Sequence, residues 1–425
     1  MSTELKRSLR LFDGLTMVVG VVVGAGIFRT PGLIAAQLGR PWLTFVAWVL
    51  GGALAFLGAL IFAELATRLP KAGGKYVYAR EAFGPRAAFV IGAVEGLVLY
   101  PAAIAAISVA AAEFFERLTG WRVGGPVFVV VFTAVNLTGV AAGRWVQNIV
   151  TTAKILALGG VVVVAFVAGH GAGWHGTLPN APTGVMMWSA LAVASQAVIW
   201  TYYGYVEAAK IAEEVVEPER TLPRVFLLGI AIVTGLYLLL NAAFLHVLPF
   251  EQVAASNLVA GDAAAAIFGA KGDTVITVLA LLVVLASLNG NVFVTPRVLF
   301  GMARDGLAPA ALARVNAGGT PWPAMLVVGA VAALLAATGQ FGLLLSLAIL
   351  IVLVIDGLSV AALYRLRRRQ PEAPFRAPFY SYLPAFFIFV YAVLFVGSAI
   401  TQPRLALTTA AVLAGTWALS WLVKG

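Results

Sequence analysis

Two short stretches of this 425-residue chain have residue types and spacings suited to holding a small charged solute. The first is Val22-Val23-Gly24-Ala25-Gly26-Ile27-Phe28, in the middle of an apolar run over 12–38. Glycine has no Cβ, so the backbone at Gly24 and Gly26 can leave helical dihedrals and approach a ligand closely. A helix ending at such a break offers free carbonyls, suited to an ammonium group or a cation. A helix beginning there offers N–H groups at the positive end of its dipole, suited to a carboxylate. The second stretch, Trp200-Thr201-Tyr202-Tyr203-Gly204-Tyr205, repeats the arrangement with bulky rings around the break. Together the two breaks describe a cradle for a molecule carrying both charges, an α-amino acid. Trp200 and Tyr202 are suited to gating it, since rings beside an opened helix can cap a site and exclude water. The plainer alternative is that glycines and rings serve helix packing, and the presence of a second break favours a site.

Ionisable residues inside apolar runs form a second layer of candidates, because such residues are costly in a membrane and commonly functional. Two readings are open for Lys154, in Thr151-Thr152-Ala153-Lys154. It snorkels to the inner interface, or it is a buried ammonium held against carbonyls of the first span in place of a metal cation. Ser287 can supply a hydroxyl to the same place. Glu95, ahead of a kink expected at Tyr100-Pro101, is expected to pair with Lys154 or Arg29, or to carry a proton. Arg29 either faces an outer vestibule and meets an anionic substrate or snorkels outward. Asp356 is expected to partner the basic residues at 365–369, and Glu64 to pair with Arg68.

The elements that must position these residues follow from composition. The chain is 61% hydrophobic and 11% charged, with mean hydropathy +0.97. Its apolar residues recur in blocks of about 20, the length that crosses a bilayer as a helix. The reading is an all-α polytopic membrane protein of twelve spans. They are placed at 12–38, 42–66, 87–112, 124–142, 147–169, 187–212, 223–247, 273–300, 322–338, 341–364, 380–400 and 404–423, with spans 1 and 6 broken. Breaks five spans apart face opposite ways, which points to a transporter built from inverted repeats.

The net charge of +10 is explained by placement and not by nucleic acid. Basic residues concentrate at 6–10, 68–86, 220–224, 297–314 and 365–376, all on one side of the twelve-span scheme. That bias puts both termini in the cytoplasm. There is no cysteine and hence no disulfide, which fits a cytoplasmic membrane. The first apolar run lacks a small-residue cleavage site and reads as a span, not a signal peptide. No His-Glu-x-x-His, Walker loop or nucleophile elbow is present, so neither an enzyme nor direct ATP drive is expected, and no cofactor. His170 and His175 lie in a glycine-rich loop without a carboxylate or thiol beside them, so no metal site is expected.

Five segments in order resemble the amino acid–polyamine–organocation superfamily, and within it the bacterial relatives of the L-amino-acid transporter family. They are Gly24-Ala25-Gly26-Ile27-Phe28; the segment from Glu64 to Tyr76; Ala212-Glu213-Glu214 with Pro218-Glu219-Arg220-Thr221-Leu222-Pro223; Ala303-Arg304-Asp305-Gly306 with Thr320-Pro321; and Pro371 to Arg376. The resemblance implies a leucine-transporter-type fold working by alternating access in a bacterial inner membrane. Its first inverted repeat would cover 1–169, its second 187–364, and two further helices 380–423. It implies that N–H groups of Gly24, Ala25 and Gly26 meet the substrate carboxylate, and that carbonyls of Val22, Trp200 and Tyr203 beside Gly204 meet the amino group. Trp200 is similar to an aromatic lid. Lys154 is similar to a lysine that fills the second sodium site of relatives, with Ser287 beside it, which implies sodium-independent transport of neutral L-amino acids. Exchange and proton coupling both fit, as do monomer and homodimer. A cationic amino acid or polyamine carrier is the nearest alternative; a substrate-gated channel or a membrane sensor lies further off. Tyr203 and Asp356 depart from the family pattern.

Overall fold

The computed structural model describes residues 5–24, 26–339 and 341–422, and among them it is helical throughout, with no strand beyond an isolated bridge between Leu9 and Val215. Its α-helices are, in order, α1 Leu11–Val22, α2 Gly26–Leu38, α3 Pro41–Arg68, α4 Lys75–Phe83, α5 Pro85–Val94, α6 Tyr100–Thr119, α7 Gly125–Leu137, α8 Val140–Ala168 and α9 Val185–Tyr202. After the second break follow α10 Pro218–Val247, α11 Phe250–Ala255, α12 Val259–Phe268, α13 Gly272–Val294, α14 Pro296–Arg304, α15 Trp322–Ala336, α16 Phe341–Arg369, α17 Tyr382–Thr401 and α18 Pro403–Leu419.

Among the described residues, nine helical segments are long and apolar enough to cross a membrane, and ten if the bent pair α1–α2 counts as one span. Two expected spans come out short. The expected 124–142 is α7, with 13 residues, and the expected 322–338 is α15, with 15. Gly139, at φ 149°, ends the α7 region in a conformation closed to side chains, and Pro321-Trp322-Pro323 sets the start of α15. The two short helices pack on each other, with Thr133 against Gly329.

Chain punctuation follows familiar chemistry. Pro41, Pro85 and Pro218 stand in the first turn of α3, α5 and α10, where a missing N–H costs nothing. Gly120 closes α6 in the left-handed conformation. Between α5 and α6 lies one five-residue π-helical stretch, Glu95–Leu99, directly before Tyr100-Pro101. Proline has no N–H to continue the ladder, and the wider turn absorbs the mismatch.

The lipid-facing and buried sides of α8 show how sequence places the site. Its buried residues are Val140, Gly143, Gln147, Thr151, Lys154, Leu158, Val162 and Ala165, one face at steps of three and four. The opposite face exposes Leu156, Val163 and Val167. A helix apolar all round would read as a featureless span; here one polar stripe turns inward onto α1.

Candidate functional site

Both predicted breaks are present. α1 and α2 are inclined by 47° across the gap after Val22. α9 stops at Tyr202, and after Gly204 at φ 124° the chain continues as a 3₁₀ helix, Tyr205–Glu214. A Cβ on Gly204 would come within 3.0 Å of Val21 Cγ1 and 3.3 Å of Val22 Cα, so this glycine is required both for its dihedral and for contact between the two breaks. Gly26 opens α2 without a positive φ; what constrains it is Thr201, whose Cγ2 would sit 3.2 Å from an added Cβ.

The carbonyls at the end of α1 are accounted for one by one. Val19 accepts the Val23 N–H at 3.0 Å. Lys154 Nζ donates to Gly20 at 2.9 Å and to Val23 at 2.7 Å. Ser287 Oγ donates to Val21 at 3.1 Å. The Tyr237 hydroxyl lies 3.0 Å from the carbonyls of both Val22 and Thr201, joining the first break to the second. Lys154 is fully buried, with no carboxylate partner among the described residues, so the snorkelling reading is set aside. Its charge rests on two carbonyls and the negative end of the α1 dipole. Below it, Gln147 and Thr151 hold the Thr16 carbonyl at 3.2 Å each, and Asn289 bonds Gln147 at 2.9 Å.

Between the breaks opens a cavity of about 120 Å³. A water needs roughly 10–15 Å³ of such space, so a small solute fits. Val22, Gly24, Gly26, Trp200, Tyr203 and Gly204 line it, together with Ser287. Ala25 lies outside the described residues. The rings of Trp200 and Tyr203 stack 6.2 Å apart and nearly parallel over one wall. The rest is apolar, from α1, the π-helical stretch, α6, α13 and α16, except for Tyr100, Thr201, Glu207 and Asn291.

Three expectations need correction. Tyr202, expected to gate, is buried away from the cavity; its hydroxyl donates to the Trp48 carbonyl at 3.1 Å and its ring packs on Trp48 and Tyr237. Two consecutive residues at the end of a helix point about 100° apart, so Tyr203 faces the cavity and Tyr202 cannot. Glu95 pairs with neither Lys154 nor Arg29; its Oε1 lies 2.7 Å from Lys75 Nζ. Asp356 does not partner the basic end of α16; its Oδ1 lies 2.7 Å from the same Lys75 nitrogen. Of the two readings of Arg29, outward snorkelling fits better: it lies outside the cavity lining, half exposed, and 3.8 Å from Glu113. Glu64 does pair with Arg68, at 2.7 Å, and also with Arg367.

Sequence reading missed Tyr237, Lys75, Glu207 and Lys210. Tyr237 is a lone polar ring in the middle of Leu236-Tyr237-Leu238, a signal that was legible. Lys75 falls in a basic loop that looks solvated, and Glu207 and Lys210 follow the second break directly, in a segment too polar for lipid contact. Only tertiary packing buries them.

A bundle with two broken helices meeting over a solute-sized cavity defines a secondary carrier. The sequence profile of the amino acid permease family matches residues 9–422, so the chain belongs to that family. It is 29% identical over 396 residues to the serine/threonine exchanger SteT of Bacillus subtilis (strain 168), covering 89% of this chain and 88% of the relative. It is 29% identical over 416 residues to the Asc-type amino acid transporter 1 of Mus musculus (94% and 78%). A cystine/glutamate transporter of Homo sapiens is 29% identical over 401 residues (91% and 79%). The protein is an amino acid transporter, not an enzyme.

Proposed function

We propose that the protein carries small neutral L-amino acids across a bacterial inner membrane by sodium-independent alternating access, with both termini cytoplasmic. The full reading is a twelve-span fold of two inverted five-helix repeats plus α17 and α18, in which α7 and α15 complete the count as short spans. The carrying observation is Lys154, whose ammonium sits on the Gly20 and Val23 carbonyls where a cation-coupled carrier needs its metal. The free N–H groups opening α2 suit the substrate carboxylate, and carbonyls at the two breaks suit its amino group. The largely apolar wall suits a small neutral side chain.

A cationic substrate is the second reading, because Glu207 lines the cavity. Its oxygens are already engaged by Lys210 and by the Tyr100 hydroxyl, which favours the neutral side chain.

In proteoliposomes, counterflow of labelled L-serine should proceed at full rate with choline replacing sodium. A strict sodium requirement would sink the Lys154 argument. Counterflow driven by L-arginine and not by L-serine would establish the second reading in its place.

A further inference from the structure

Beyond the carbonyl cluster, five charged side chains lie buried together on the other side of the second break. Lys75 on α4 bridges Glu95 and Asp356, each at 2.7 Å. Lys210 pairs with Glu207, and its ammonium lies 2.9 Å from the centre of the Tyr100 ring. All five side chains are at most 1% exposed. They interact electrostatically as one group. Among the described residues the remaining titratable neighbours are phenols: Tyr100 and Tyr203 in hydrogen bonds to the group, Tyr78 on α4, Tyr205 after the break and Tyr391 on α17. Phenols are neutral at physiological pH.

The inventory does not balance. Three carboxyl groups stand against two ammonium groups, which leaves one uncompensated negative charge where burial of net charge is most costly. A metal cation has no room to correct it, since the Lys75 nitrogen already occupies the position between Glu95 and Asp356. A proton needs no coordination shell, and Glu95 Oε2 and Asp356 Oδ2 are both buried without a hydrogen-bond partner.

We propose that this cluster is a proton-binding site, holding one exchangeable proton on the Glu95–Asp356 pair as a second ligand of the carrier. Protonation forms one O–H bond with a proton drawn from water on one face of the membrane and takes the cluster from a net charge of minus one to zero. Release to water on the other face reverses both changes. Tyr203 is the link to the substrate. Its hydroxyl lies 2.9 Å from Lys75 Nζ and 3.3 Å from Asp356 Oδ1, while its ring stacks on Trp200 at the cavity wall and its backbone forms the break. The proposal rests on the carrier reading above and deepens it by naming the coupled ion and its site.

Charge counting makes the test sharp. Either Asp356→Asn or Glu95→Gln leaves two carboxylates for two ammonium groups, a balanced cluster that needs no proton. Infrared difference spectroscopy of the purified full chain in detergent reads the carbonyl stretch of a protonated carboxyl directly. We expect one such band at neutral pH, shifted in D₂O, and lost in both variants. In proteoliposomes, uptake of labelled L-serine should accelerate with an inward proton gradient in the wild type and lose that response in both variants. No band at neutral pH, or a band retained in both variants, overturns the proposal. The two variants stand independently, so misfolding of one leaves the other decisive. L-serine counterflow without the band would overturn the proton site and leave the carrier reading intact. The band without any flux of L-serine or L-arginine would uphold the proton site and overturn the carrier reading.

Discussion

Lys154 shows how one residue can settle the geometry of a site it does not line. Its ammonium meets two carbonyls that the end of α1 would otherwise leave unpaired. Removing it leaves two buried acceptors without donors, at about 1–3 kcal/mol each. Lys154→Met is therefore expected to lower unfolding stability in detergent by a few kcal/mol and to abolish L-serine counterflow, because the gap after Val22 loses its support. Chemical denaturation read by tryptophan fluorescence checks the first effect and counterflow the second. A variant with wild-type flux would show that the lysine is packing alone.

At the scale of elements, the two breaks act as one unit. Gly204 packs where an added Cβ would crowd Val21 and Val22, and the Tyr237 hydroxyl sits between the carbonyls of Val22 and Thr201. The α1 end and the α9 end cannot move independently while both contacts hold. Gly204→Ala puts a Cβ into a left-handed backbone and against the other break, a strain of about 1–3 kcal/mol. We expect it to weaken L-serine binding at least tenfold in a thermal-shift titration, since a ligand that binds only the folded state stabilises it in proportion to its affinity. Wild-type affinity in this variant would mean that the breaks flex separately. Gln147, Thr151 and Lys154 extend the unit into α8, whose other face meets lipid.

For the whole molecule, the face carrying the basic loops is closed by a layer of ion pairs. Arg297 makes two hydrogen bonds to Glu214 at 2.8 and 3.2 Å, fully buried, and Arg304 makes two to Glu213. Ser8 and Leu9 donate backbone hydrogen bonds to the Glu214 carbonyl, which straps the N-terminal segment across the end of the second broken span. Among the described residues the opposite face has only exposed pairs, such as Arg29 with Glu113 and Arg117 with Asp273. Breaking a buried pair on one side is worth about 3–5 kcal/mol. Arg297→Gln should therefore shift the carrier toward opening on the strapped face. The chain has no cysteine, so a single cysteine at Ala106, on the cavity wall, reports access without a background correction. Labelling from the strapped face should rise several-fold in the double variant; an unchanged rate would remove the layer's role as a closure.

Much of this protein is written in local sequence. Apolar runs of bilayer length, glycines in the middle of two of them and the loop motifs determine a helical membrane carrier with breaks at Gly24–Gly26 and Tyr203-Gly204, because lipid forces each backbone group to find a partner within its own span unless a site intervenes. The lysine at 154 was legible for the same reason: a charge inside an apolar run needs a partner, and the nearest unpaired groups are the carbonyls of a broken helix. What local sequence did not determine is which charges meet. Lys75 and Glu95 come from neighbouring elements near the start of the chain and Asp356 from α16, far along it, and a loop lysine looks solvated until α4 folds back between the spans. Pairing of buried charges depends on distances of a few ångströms between elements, and those distances exist only once the bundle has packed.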